Sequence, residues 1–400
     1  MPAVRVRGLG LISSYGVGLA AAVEGLRAGR PGITPLTLFS LPFQNEIRVN
    51  QFDHGGFPPG EESAVAMLVT AAREALAGSG LDAAALKEAA LVVGSSGFLF
   101  AGEAEYRLHY QRSGAPSAPL LRAPGHVSQQ LAERLGLEGP VLTLSTACSS
   151  SANALLVAAD FLKRGEARHA LVLGAEGLSA ISLTGFHSLM LLDPEGCRPF
   201  DRERRGMQLG EAIGAVLLEI AESSSRDTGA SLLGGRSRHP ASRDTGASLL
   251  GGANLCDIHH VTSAAPDGSA MREVMEQALA DAGLEPHDIV LIKAHGTGSA
   301  DNDTAEAAAM RALWGARLPP FTAIKRYLGH TLGACGAVEL AALLGCLRAG
   351  FVPPAAGFSA VDPELRLSPL TATLSAPRGP VLYNYFGFGG NYASLVVTHG

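Results

Sequence analysis

Glu74-Ala-Leu-Ala-Gly-Ser-Gly-Leu81, followed by Val92-Val-Gly-Ser-Ser-Gly97, is echoed later in the chain by Gln277-Ala-Leu-Ala-Asp-Ala-Gly-Leu284, followed by Lys293-Ala-His-Gly-Thr-Gly298. Each member of the pair is a helical run closed by glycine, then an apolar strand running out into small residues. A second echo keeps the same order. The strand before Cys148 and the helix ending Leu162-Lys-Arg-Gly165 match the strand before Lys325 and the helix ending Leu347-Arg-Ala-Gly350. The two offsets, roughly 200 and 185 residues, with shared order and context, point to a duplicated α/β unit with its reactive groups near the midline.

Working outward, short apolar runs at 90–93, 141–144, 170–173, 215–219, 289–292 and 394–397 read as buried strands, and 64–78, 151–165, 271–283, 304–314 and 336–349 carry helical spacing. Strand and helix alternate, which favours sheets covered by helices. With 400 residues and 47% hydrophobic content the chain can bury a large core without staples. A net charge of -6, with 17% charged residues, gives no positive field for nucleic acid. The five cysteines are widely spaced and form no C-x-x-C pair, so neither a disulfide framework nor a thiolate zinc site is indicated, and a reducing, cytoplasmic compartment fits. Met1 to Gly10 lacks the order of a signal peptide, and no apolar run is long enough for a membrane span.

One repeat is of a different kind. Ser225-Arg-Asp-Thr-Gly-Ala-Ser-Leu-Leu-Gly-Gly235 recurs unchanged at Ser242–Gly252. Identity at that level is a tandem duplication, with one copy expected to continue a strand and the other to leave as a surface loop near 223–252, which loops tolerate.

The chemistry-bearing residues sit where strands end. Leu142-Thr-Leu-Ser-Thr-Ala-Cys-Ser-Ser-Ser-Ala-Asn153 is a strand, a turn of small residues and a helix start, with Cys148 at the turn. Small neighbours admit a substrate to the sulfur. A helix N-terminus favours thiolate and offers N–H groups to an oxyanion. Ala294-His-Gly-Thr-Gly-Ser299 places His295 after a strand beside residues too small to cover it, and Ile324-Lys-Arg-Tyr-Leu-Gly-His-Thr-Leu-Gly333 sets Lys325 and His330 before another helix start. One cysteine and two histidines at equivalent junctions are expected to converge on one pocket.

In order along the chain, Ser145-Thr-Ala-Cys-Ser-Ser150, Cys197-Arg-Pro-Phe-Asp-Arg202 with Leu209-Gly-Glu211, Ala294-His-Gly-Thr-Gly298 with Asn302-Asp303, Lys325 with Gly329-His-Thr-Leu-Gly333, and Phe386-Gly-Phe-Gly-Gly-Asn391 resemble the motifs of the decarboxylating β-ketoacyl-(acyl carrier protein) synthases of the thiolase superfamily. The resemblance covers nearly the whole chain, including Gly8-Leu-Gly and Ala28-Gly-Arg-Pro-Gly-Ile33, similar to the family's opening strand and first helix end. It implies a thiolase-like, duplicated αβαβα five-layer fold and a homodimer, or a heterodimer with a related subunit. We divide the chain into an N-terminal half, 1–252, with the nucleophile and a pocket and dimer segment near 95–127, and a C-terminal half, 253–400, with both histidines.

The resemblance also implies roles. Cys148 is the acyl-accepting nucleophile, His295 and His330 are the active-site imidazoles and Lys325 a supporting cation. Thr297 and Ser299 match positions that hydrogen-bond the pantetheine arm, and Phe386 and Phe388 belong to a glycine-flanked aromatic loop whose second Phe gates the acyl pocket. The expected reaction condenses malonyl-ACP with an acyl group held on Cys148, in fatty acid or polyene/polyketide biosynthesis. It needs no cofactor beyond the phosphopantetheine arm of acyl carrier protein. The carrier is acidic, so Arg202, Arg204, Arg205, Lys163 and Arg164 are candidates for docking it. The alternative is a catalytically silent chain-length partner of a ketosynthase heterodimer, which usually lacks the nucleophile. Ser299-Ala300 and Asp257-Ile-His-His-Val-Thr262 depart from the family's usual residues, and Cys197 and Cys335, which stand where it commonly has Ser or Ala, read as structural.

Overall fold

Among the described residues, ten strands lie side by side at the centre of the molecule, and their order shows the duplication. A computed structural model describes residues 3–41, 46–58, 60–115, 123, 125–221 and 245–400. The first five strands are β1 (Val4–Ser13), β2 (Ala90–Gly94), β3 (Val141–Leu144), β4 (His169–Glu176) and β5 (Ala212–Ile220), side by side as β3-β2-β4-β5-β1. The next five are β6 (Ala247–Cys256), β7 (Leu291–Lys293), β8 (Phe321–Thr322), β9 (Gly379–Phe386) and β10 (Asn391–His399), side by side as β8-β7-β9-β10-β6. Both sets therefore have the order 3-2-4-5-1. The pairings repeat too: β2 is parallel to β3 and β4, as β7 is to β8 and β9. The β4–β5 and β5–β1 pairs are antiparallel, as are β9–β10 and β10–β6. The sets join where Val4–Val6 of β1 pairs antiparallel with Ala247–Leu249 of β6.

Side-chain alternation along the strands sorts the core into layers. Ala90, Val92, Ala170 and Val172 face a central cluster, while Leu91, Val93, Leu171 and Leu173 face an outer one. The outer cluster takes helices α1 (Glu61–Ser79) and α2 (Gly125–Leu135). The central cluster holds α3 (Ser150–Lys163) and α6 (Cys335–Arg348), packed between the two sheets. On the far side α4 (Ser269–Ala282) and α5 (Ala300–Trp314) cover Ile292, Leu382 and Val396. This is the five-layer αβαβα arrangement that the family resemblance implied. The central helices touch backbone to backbone, for a Cβ on Gly336 would lie 2.1 Å from the nitrogen of Ala152. The N-termini of α3 and α6 are thereby held together at the midline.

Two expectations need adjustment. The run 141–144 is a strand, but it is the outermost of its sheet and only half-buried, with Leu142 37% exposed. The strand Gly379–Phe386 was missed: its Pro380 and Asn384 break the apolar pattern, and Asn384 is satisfied in the core by Ser394 Oγ, which donates to its Oδ1 at 2.9 Å. The second copy of the tandem repeat supplies 247–252 of β6, as expected of one copy, while the first copy, Ser225–Gly235, lies outside the described residues. Because β6 belongs wholly to the second set of strands, we propose that the halves divide between 221 and 247 rather than inside that strand. Part of the segment near 95–127 is the helix Leu99–Ser113, and residues 116–122 and 124 lie outside the described residues. Among the described residues no helix is long and apolar enough to cross a membrane.

Candidate active site

The segments that follow β3, β7, β8 and β9 build one cavity of about 190 Å³. Cys148, His295 and His330 all line it. Thr297, Ser299, Phe386 and Phe388 line it as well, so the site residues inferred from the motifs meet there, with one exception described below.

Cys148 is delivered by a tight turn. Ala147 adopts φ +50, a conformation that side chains with a Cβ rarely take and that marks stored strain. Hydroxyls stitch the turn: Ser150 Oγ accepts from the Thr146 N–H at 2.8 Å and donates to the Ala147 carbonyl at 2.6 Å. The aromatic loop closes over it, and Gly387 lets the two backbones approach closely, since a Cβ there would come within 3.1 Å of the Cys148 nitrogen. Asn391 Oδ1 ties this loop to α3 by accepting from Ser149 Oγ at 2.7 Å and from Asn153 Nδ2 at 2.8 Å. The Phe388 N–H lies near enough to the Cys148 sulfur to favour its thiolate, on the side where an oxyanion would need a backbone donor.

The thiolate expected from the helix N-terminus is not the resting state. Burial pushes the Cys148 thiol up to about 12, assisted by the Cys335 thiol and opposed by Lys325 and the Phe388 N–H. A helix N-terminus favours an anion by only about 0.3–1 kcal/mol, less than the loss of water costs a buried thiolate. Cys148 is therefore a thiol until a substrate arrives.

His295 stands on a loop held by two buried acids from α5. Glu306 accepts from the His295 and Gly296 N–H groups at 2.8 and 2.9 Å, and Asp303 from those of Thr297 and Gly298 at 3.1 and 3.2 Å. Thr297 and Ser299 share a hydroxyl–hydroxyl bond of 2.9 Å at the cavity wall. His330 is held by backbone from the other half: its N–H donates to the Gln208 carbonyl at 2.6 Å and its carbonyl accepts from Gly210 at 3.1 Å. The two rings meet edge to face with centroids 5.3 Å apart, and Phe386 lies 5.8 Å from His295. Burial and then the Lys325 cation drive both imidazoles well below the usual histidine value, so both are neutral at pH 7.

Lys325 is the exception: it is absent from the cavity wall and lies behind the rings, 1% exposed. Its Nζ donates to Glu339, whose other oxygen accepts from Lys293 Nζ. Lys293 also donates to the Asn384 carbonyl at 2.7 Å and stacks over the Tyr385 ring at 3.8 Å. Sequence reasoning missed Lys293, Glu339 and Glu306. The available signal was a single acid inside the apolar run of α6 and a lysine ending an apolar strand, both pointing to buried, paired charge.

The basic candidates separate as well. Arg204 is buried in an ion pair with Asp362, and is structural. Lys163 and Arg164 lie at the far end of α3 from Cys148, where they pair with Asp281 and Asp160. Arg205 lines the cavity mouth, and Arg202 stays exposed. Among the described residues no group of three or more His, Cys, Asp or Glu could hold a metal ion.

Comparison with known proteins agrees along the whole chain. Residues 1–224 match the family model "Beta-ketoacyl synthase, N-terminal domain" and residues 247–359 match "Beta-ketoacyl synthase, C-terminal domain". The tetracenomycin polyketide synthase ketoacyl synthase alpha subunit of Streptomyces glaucescens is 30% identical over 427 residues, covering 99% of this chain and 96% of that protein. The solved ishigamide ketosynthase/chain length factor is 30% identical with a TM-score of 0.84, covering 100% of this chain and 99% of that one. A ketosynthase in complex with its chain length factor from Xenorhabdus doucetiae is 26% identical with a TM-score of 0.85, covering 100% and 98%.

Proposed function

Because this chain belongs to the beta-ketoacyl synthase family, we propose that Cys148, His295 and His330 divide a decarboxylative Claisen condensation among them. The observation that carries the reading is that this one sulfur and these two neutral imidazoles line a single cavity. The enzyme is an acyltransferase that extends an acyl group by malonyl-derived carbon, in polyketide or fatty acid biosynthesis.

In the first half-reaction the Cys148 sulfur attacks the thioester of an acyl carrier, and the thiol proton leaves with the departing pantetheine sulfur. The Cys148 and Phe388 N–H groups hold the tetrahedral oxyanion. Malonyl carrier then enters, its pantetheine arm bonded by Thr297 and Ser299. Cleavage of the carboxylate carbon bond releases carbon dioxide and leaves its electron pair as an enolate. Imidazole N–H groups of His295 and His330 donate to the enolate oxygen, so the charge is met without a cofactor. The enolate carbon attacks the acyl-Cys148 carbonyl, Cys148 leaves and recovers a proton, and the β-ketoacyl carrier departs. Lys325 works from behind: after burial, its fixed positive charge is the next influence that keeps both rings neutral, so that each offers one N–H and neither is an imidazolium acid enough to protonate the enolate before it attacks.

The carrier docks at the cavity mouth with Arg205 nearest, and Phe388, packed 5.8 Å from Phe186, gates the acyl pocket. The outer edge of β3, which pairs with no strand among the described residues, suits a homodimer or a heterodimer with a related subunit. Five free cysteines suit the cytoplasm. A silent chain-length subunit has no use for a complete cavity of this kind. The test is a condensation assay of the purified protein with malonyl carrier and a panel of acyl carriers. Product formation, abolished by one iodoacetamide adduct on Cys148, supports the reading; a protein that takes the adduct but never condenses is a silent partner.

A further inference from the structure

Cys335 opens α6 directly behind His330 and takes no part in the cavity wall. Its sulfur lies 3.1 Å from His330 Nδ1, and two other groups reach it: Lys325 Nζ at 3.7 Å and Thr331 Oγ1 at 3.6 Å. The ammonium has only hydrogens to give, and the Thr331 hydroxyl has the geometry of a donor to the sulfur, so in this arrangement both donate. With the sulfur accepting from both, its own hydrogen is best placed toward Nδ1, the nearest acceptor at 3.1 Å. We propose that Cys335 is a positioning residue that fixes His330 in the tautomer carrying its proton on Nε2.

The consequence bears on the reaction and rests on the condensation reading above. A neutral imidazole has one N–H, and with Nδ1 accepting from Cys335 that N–H is on Nε2, the nitrogen left to face the cavity. An enolate oxygen then meets a donor and never a lone pair. Without the thiol the two tautomers compete, and the ring spends part of its time with a lone pair toward the charge it must stabilise. His295 has no such fixing partner, for its Nδ1 is buried without a hydrogen bond. The pair is therefore unequal, with His330 the pre-set donor. Cys335 departs from the family's usual Ser or Ala, and a serine hydroxyl could donate in the same place.

The experiment labels histidine with nitrogen-15 in the full-length protein and reads the tautomer of His330 by long-range proton–nitrogen correlation, with His330→Ala to assign the signal. Decarboxylation of malonyl carrier and acyl loading of Cys148 are measured separately. The wild-type ring should show the proton on Nε2. Cys335→Ala should give a mixture and lower decarboxylation roughly 10- to 100-fold, the range typical when the group that orients a working imidazole is removed, while acyl loading holds. Cys335→Ser should restore both. A wild-type proton on Nδ1, or Cys335→Ala with tautomer and rate unchanged, overturns the proposal. A wild-type ring protonated on Nε2 in a protein that leaves malonyl carrier intact supports the tautomer assignment and overturns the condensation reading.

Discussion

The two walls of the cavity come from equivalent positions in a duplicated unit, yet they are built from opposite materials. Cys148, after β3, packs among Leu178, Leu183, Met207, Leu209 and Leu332. The imidazoles, after β7 and β8, stand before a fully buried Lys293–Glu339–Lys325 bridge. An apolar setting suits a sulfur that stores an acyl chain and keeps water from its thioester. A cationic setting suits rings that must stay neutral beside a developing enolate. Duplication supplied the geometry twice, and in the proposed reaction the different side chains give each copy its own task.

That division can be broken most sharply at the sulfur. Cys148→Ala should lower condensation by about 10⁴-fold or more, while malonyl decarboxylation, which needs only the other wall, persists in a carbon dioxide release assay. Next in size is the bridge: Glu339→Gln leaves two buried lysines without their anion and should destabilise the fold by about 3–5 kcal/mol, read from the urea midpoint. His295→Ala or His330→Ala should each slow decarboxylation about 10²- to 10³-fold, the loss typical of a removed oxyanion donor, with mass spectrometry showing normal acylation of Cys148.

The charge on the second wall gives a pH test. The folded imidazoles titrate well below 6.5, so decarboxylation should stay level from pH 8 to 6.5 and fall only as more acid solution protonates the rings. In that window the unfolded chain binds more protons at these histidines, so their contribution to stability falls as pH drops from about 6.5 toward the folded value. Glu176 and Glu306, both pushed up to about 7 by burial, have the opposite sign: their contribution is full below about 4.5 and declines as pH rises to about 7. Activity is therefore the cleaner readout. The smallest effect is expected at the mouth, where Arg205→Glu should raise the carrier KM about 3- to 10-fold and leave acylation by a small thioester unchanged.

Much of this was legible along the chain. The echo of Glu74–Leu81 in Gln277–Leu284 gave the duplication, because helix and strand patterns are local and survive drift wherever the layers must still pack. The glycine-rich turns around Cys148, His295 and His330 marked the strand ends that build the site. Arg204 and Arg205 show the limit: neighbours in sequence with the same charge, one is locked onto Asp362 and the other lines the cavity. Nothing local distinguishes them.

The sequence by itself determined the alternation of strands and helices and the doubled unit, which rest on periodicity and on turns only small residues can make, and its motifs singled out the three side chains proposed to react. Tertiary structure alone decided that Cys148 rests as a thiol, that Glu339 bridges two lysines and that Cys335 stands behind His330. Protonation and hydrogen-bond direction depend on burial and on atoms from other elements, and folding alone sets those distances.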